Sequence, residues 1–100
     1  MLGSVLVLHM ETIKFQLTPF SIEVDGYLVD VLEVLKRTRI TGETWFFAVV
    51  RIRYKDILSR TFTIPVRSEK ELINKLKIEI TKIKFLEYAY GLEEVKKVIA

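Results

Sequence analysis

Trp45, Phe47, Arg51 and Arg53 occupy alternate positions of the run 45–54, Trp-Phe-Phe-Ala-Val-Val-Arg-Ile-Arg-Tyr. If that run is a strand, these four share one face with Val49, while Phe46, Ala48, Val50, Ile52 and Tyr54 share the other. The second set is pure core. The first combines aromatic rings on which bases can stack with planar guanidinium forks that suit phosphates. Lys36, Arg37, Arg39 and Arg60 lie in the neighbouring runs and extend this basic character. The candidate nucleic-acid-binding set is therefore Lys36, Arg37, Arg39, Trp45, Phe47, Arg51, Arg53 and Arg60, with single-stranded DNA or RNA as the expected partner. Trp, Phe and Arg are equally the residues of protein interfaces, so the same face also reads as a surface for self-association. The plainest alternative is a solvated surface carrying ordinary ion pairs.

Other chemistry has little to build on. His9 is the only histidine, and no serine or carboxylate is tied to it by a motif, so no catalytic triad can be nominated. The chain has no cysteine, which removes thiol catalysis, disulfides and cysteine metal sites together. Its four glycines form no phosphate-cradling loop, and acidic pairs such as Glu69 with Glu71 and Glu93 with Glu94 read as helix ends. Neither an enzyme, a cofactor, a metal nor a small-molecule substrate is expected.

One hundred residues, half of them hydrophobic, make a single α+β domain spanning 1–100 with one core and little to spare for a second layer. Gln16 and Asn74 are the only side-chain amides, a bias that with the missing cysteine fits a thermophilic source. The apolar stretch 4–8 is too short to cross a bilayer and no basic residue precedes it, so a cytoplasmic location without membrane contact is expected. Met10 is a plausible alternative start to Met1, which would make residues 1–9 an optional strand or extension. Charge is uneven along the chain. Residues 1–35 carry Lys14 against Glu11, Glu23, Asp25, Asp30 and Glu33, whereas residues 36–67 carry eight cations against Glu43 and Asp56.

Positioning these residues requires strands. Ile13, Phe15 and Leu17, and then Phe20, Ile22 and Val24, alternate with polar residues around Pro19. Asp25-Gly26 is a hairpin signal, because both central residues of a type I′ turn need positive φ. Pairing outward from it sets Val24 against Tyr27, Ile22 against Val29 and Phe20 against Val31. Residues 27–39 fit a helical stripe or a strand, and their β-branched content favours the strand. A two-residue turn at Thr41-Gly42 would pair Ile40 with Glu43, Leu35 with Ala48, Val31 with Ile52 and Asp30 with Arg53. That register sends Leu35 to the core and leaves Leu32, Val34 and Lys36 outside, but it also turns Glu33 inward. Lys55-Asp56-Ile57 would form the next turn, and Leu58, Phe62, Ile64 and Val66 would face the core from a last strand, with Pro65 marking an edge.

At Ser68 the period changes. Ser68 and Glu71 form a capping box, Leu72, Ile73, Leu76, Ile80 and Ile83 follow at helical spacing, and Gly91 ends a helix 69–90 or divides it from a short one over 92–100. A helix of that length spans about 33 Å. Ile78, Phe85 and Tyr88 lie off its main stripe and are the candidate oligomer interface, most simply of a homodimer. The fold class is therefore α+β: an antiparallel four- or five-stranded meander sheet, then a long C-terminal helix and a short terminal helix. Over residues 12–90 this order of elements resembles that of small single-strand-binding proteins such as the Whirly and positive-cofactor folds, which implies the same kind of partner.

Overall fold

The computed structural model describes residues 18–100. The readings of residues 1–9, of the Met10 start, of His9 and of a strand over 13–17 lie outside the described residues. Among the described residues, five strands form one antiparallel sheet: β1 (Phe20–Val24), β2 (Tyr27–Thr38), β3 (Thr44–Tyr54), β4 (Ile57–Leu58) and β5 (Phe62–Val66). Two helices follow, α1 (Glu69–Tyr90) and α2 (Leu92–Ile99). The order is β1-β2-β3, with β4 and β5 sharing the far edge of β3. This is the α+β architecture expected, and residues 27–38 are strand.

The first turn follows its sequence closely. Asp25 and Gly26 both have positive φ, 51° and 85°, and the ladder pairs Val24 with Tyr27, Ile22 with Val29 and Phe20 with Val31. The second hairpin departs from expectation twice. Its loop has three residues, 40–42, closed by hydrogen bonds from Arg39 N to Glu43 O (2.7 Å) and from Gly42 N to Arg39 O (2.8 Å), with Gly42 at φ 90°. A three-residue loop that ends in a left-handed residue is a common hairpin connection. The register then shifts again between Val31 and Glu33, where β2 carries one extra residue. Leu35 consequently pairs with Phe47, Val34 with Ala48, Val31 with Val50 and Val29 with Ile52. Leu35, expected in the core, stands outward and is 45% exposed, while Val34 packs against the core in its place. Without the bulge Glu33 would oppose Ala48 inside, and burying an unpaired carboxylate is far more costly than losing one ladder position. With it, Glu33 opposes Val49 on the outer face.

A further correction concerns the far edge of β3. The turn there is Lys55-Asp56 alone, so Tyr54 pairs with Ile57, and Ile57 is buried while Leu58 is exposed. The strand expected through 58–66 is broken at Ser59, whose hydroxyl accepts from Ile52 N at 2.8 Å and donates to Arg60 O at 2.9 Å. Ser59 substitutes for a ladder partner and is itself buried.

Ala48, Val50, Ile52 and Tyr54 of β3 join Val29 and Val31 of β2 beneath Leu72, Leu76, Ile80 and Ile83 of α1 and Val95 of α2. Both helices therefore cover one face of the sheet. Ser68 caps α1, its hydroxyl accepting from Glu71 N at 3.2 Å, and the Glu71 carboxylate accepts from Arg67 N at 3.1 Å. Gly91, at φ 92°, ends α1 and starts α2. Glu87, which interrupts the apolar seam of α1, accepts a hydrogen bond from the buried Tyr54 hydroxyl and an ion pair from Lys55 (2.6 Å). Burial, and then the bond to Glu87, hold the Tyr54 phenol well above the usual tyrosine range. Replacing fully buried Leu76 by Ala should cost about 2–5 kcal/mol in urea denaturation, against about 0.5 kcal/mol or less for the exposed Phe85→Ala.

Candidate nucleic-acid interface on the outer sheet face

The face of the sheet turned away from the helices is set by the same alternation. From β3 it carries Trp45, Phe47, Val49, Arg51 and Arg53, as expected; from β2 it carries Leu28, Asp30, Glu33, Leu35 and Arg37. Ser21 and Glu23 of β1, Leu58 of β4, and Thr63 and Pro65 of β5 also lie on it. Trp45, Phe47 and Val49 are half-buried, and Leu35, Arg37, Phe47 and Thr63 line a shallow depression. The site is thus a continuous apolar strip with charges at both ends.

The two ends differ. At the end near the first hairpin, Asp30 is 4% exposed, and its Oδ2 accepts from Arg51 Nη2 at 3.0 Å and from Arg53 Nε at 3.1 Å. Its Oδ1 accepts from the Ser21 hydroxyl at 2.7 Å. Burial alone would raise the Asp30 carboxyl; the bonds from Ser21, Arg53 and Arg51 more than reverse it and leave the group below the usual carboxylate range. With Glu23 and Glu33 on the same face, these two arginines are internally compensated. They hold the sheet together as much as they offer charge to a ligand.

At the other end the cations are in excess. Trp45 donates its indole N–H to Glu43, and the guanidinium groups of Arg67 and Arg39 lie 4.7 Å and 5.4 Å from its ring centroid. Glu43 also binds Arg67 Nη2 at 2.9 Å and Arg39 Nη1 at 3.6 Å. The Trp45 hydrogen bond first, and then the two arginines, hold the Glu43 carboxyl low. Arg37 stands beside Trp45 as its ladder partner. Three arginines thus surround one tryptophan with a single carboxylate among them. Arginine over an aromatic face is a favourable cation–π arrangement and also presents its remaining N–H groups outward.

The expected residues are therefore only partly brought together. Trp45, Phe47, Arg37 and Arg39 converge, and Arg51 and Arg53 lie farther along the same face. Lys36 pairs with Phe46 and so belongs to the opposite face. Arg60 is removed from the site: its N and Nη2 donate to Ile99 O (2.7 Å) and Val98 O (2.8 Å), tying α2 to the loop between β4 and β5. Arg67 and Glu43 were missed by sequence reasoning. The signal for Glu43 was its spacing of two from Trp45, which places both on one strand face; Arg67 follows Val66 outward in the alternation of β5. Ile78, Phe85 and Tyr88 are exposed together on α1, away from this face.

Comparisons with protein-family models, curated proteins and solved structures gave no match. The resemblance to single-strand-binding folds rests on the order of elements alone.

Because the Asp30 carboxyl is held below its unfolded value, the stability it contributes is present above the ordinary carboxylate range and lost as pH falls through the folded value. Wild-type stability should therefore drop on acidification below about pH 4, and Asp30→Asn should flatten that drop. At neutral pH the same variant should be less stable by about 1–3 kcal/mol, read by urea denaturation across a pH series.

Proposed function

We propose that this is a non-enzymatic, cytoplasmic protein of a thermophile that binds single-stranded DNA or RNA through the hairpin end of its outer sheet face. The observation that supports this most is the arrangement of Arg37, Arg39 and Arg67 around Trp45, next to the apolar strip of Leu35 and Phe47. Bases stack on Phe47 and, once a phosphate draws a guanidinium off the ring, on Trp45, while the arginines contact the phosphates on either side. Stacking contributes about 1–3 kcal/mol per base and tolerates any sequence, because every base has a π-face. Glu43 holds the arginines over the ring while no ligand is bound, and a phosphate then competes with it for their outer N–H groups. Arg51 and Arg53 contribute less, since Asp30 already occupies them.

A second reading is favoured by one observation: Ile78, Phe85 and Tyr88 on α1 are 55%, 70% and 90% exposed. We propose these as a self-association surface, which can coexist with strand binding on the other face. Sedimentation of wild type against Phe85→Ser tests it; a strict monomer in both contradicts it.

Trp45 is the only tryptophan, so its fluorescence reports on the site alone. Titration with single-stranded oligonucleotides should quench it, and three phosphate contacts give a slope of about −2 in log affinity against log salt. Arg39→Ala or Arg67→Ala should reduce that slope by roughly one contact, about 0.7. Absence of quenching and of binding at low salt would discard the proposal.

A further inference from the structure

The loop 40–42 presents a feature that strand binding on the sheet face does not use. Ile40 is fully exposed at the tip of the β2–β3 hairpin, at the first central position of a turn pinned by the Arg39–Gly42 and Arg39–Glu43 backbone bonds. Turn positions favour residues that bond their own backbone or fix φ, and a β-branched aliphatic does neither. Single exposed aliphatics are common on protein surfaces. This one stands out by its neighbours: Lys36, Arg37 and Arg39 precede it within four residues, and Arg67 reaches the same end of the sheet through Glu43.

An aliphatic side chain at the point of a cationic hairpin is the chemistry of a wedge, in which cations grip the backbone on both sides and the apolar group packs against a base. The energetics decide which base. Driving a wedge into an intact duplex requires a base step to be unstacked, and burying a single isoleucine does not repay that on its own. At the end of a duplex one face of the last base pair is already uncovered. There the wedge meets no unstacking cost.

Resting on the reading of the sheet face as a single-strand site, we infer that the hairpin tip recognises the junction between a single strand and a duplex. The single strand lies on Trp45 and Phe47, and Ile40 caps the terminal base pair. Arg37, Arg39 and Arg67 hold the phosphates of that single strand up to the capped pair.

The test uses the full chain with three oligonucleotides: a single strand, a blunt duplex, and a duplex carrying that single strand as a tail, with 2-aminopurine in its terminal pair. The tailed duplex should bind about 10-fold more tightly than either of the others and change the 2-aminopurine emission. Ile40→Ala should remove both effects while leaving single-strand affinity unchanged, and Ile40→Leu should retain them. Ile40 is fully exposed among the described residues, so its truncation leaves the core intact and loss of structure does not confound the variant. Tight single-strand binding with Trp45 quenching but no preference for the tailed duplex, or an unchanged preference in Ile40→Ala, overturns this inference alone. No binding of any of the three overturns it together with the reading beneath it.

Discussion

β2 contains one residue more than β3 can pair, and the side of the sheet on which its upper half presents each side chain follows from that residue. Below the bulge, Val29 and Val31 point to the helices; above it, Val34 does, and Glu33, Leu35 and Arg37 point away. The constraint is electrostatic in origin. A regular ladder would force the Glu33 carboxylate against Ala48 in the driest part of the core, whereas the bulge gives that place to valine. The outer face inherits Leu35 opposite Phe47 and Arg37 opposite Trp45, which are the pairs that make its hairpin end both apolar and basic.

Charge on that face is then divided by pairing. Asp30 lies opposite Arg51 and diagonal to Arg53, within reach of both, and a carboxylate so nearly buried is stable because four donors from three residues reach it. The first-hairpin end is therefore a closed network. At the other end one carboxylate, Glu43, is shared by two arginines and an indole, and Arg37 adds a further cation. Among the described residues of this face, an anionic ligand meets net positive charge only there, beside the aromatic surface it could stack on.

Much of this was legible in the sequence. The Asp-Gly turn fixed the first hairpin, the alternation of 45–54 assigned both faces of β3 correctly, and Ser68 and Gly91 marked both ends of α1. What stayed hidden depended on single-residue choices among near-equal alternatives. A three-residue rather than two-residue loop at 40–42 moved the register by one, the bulge moved it by another, and each step exchanges the faces of β2. Leu35 and Val34 are chemically interchangeable at this level, so only the inward Glu33 hinted at the error. The same holds for Ser59, whose hydroxyl replaces a backbone partner in a way that composition does not announce. For the site, sequence separation was the obstacle. Arg67 lies 22 residues from Trp45 and meets it only because β5 pairs with β3. Arg60 looked equivalent to it in composition, yet spends its donors on the carbonyls of α2.

In the reading we propose, the hairpin end of the outer face, rather than the whole basic middle of the chain, receives nucleic acid. The most direct measurement is a residue-resolved NMR titration of the labelled protein with a short single-stranded oligonucleotide at low salt. Binding at the hairpin end should shift the Trp45 indole and the amides of Arg37, Arg39, Phe47 and Arg67 together, with Arg60 and the α1 positions 78, 85 and 88 unmoved. Shifts centred on Arg60 or α1, or none at all, would contradict it.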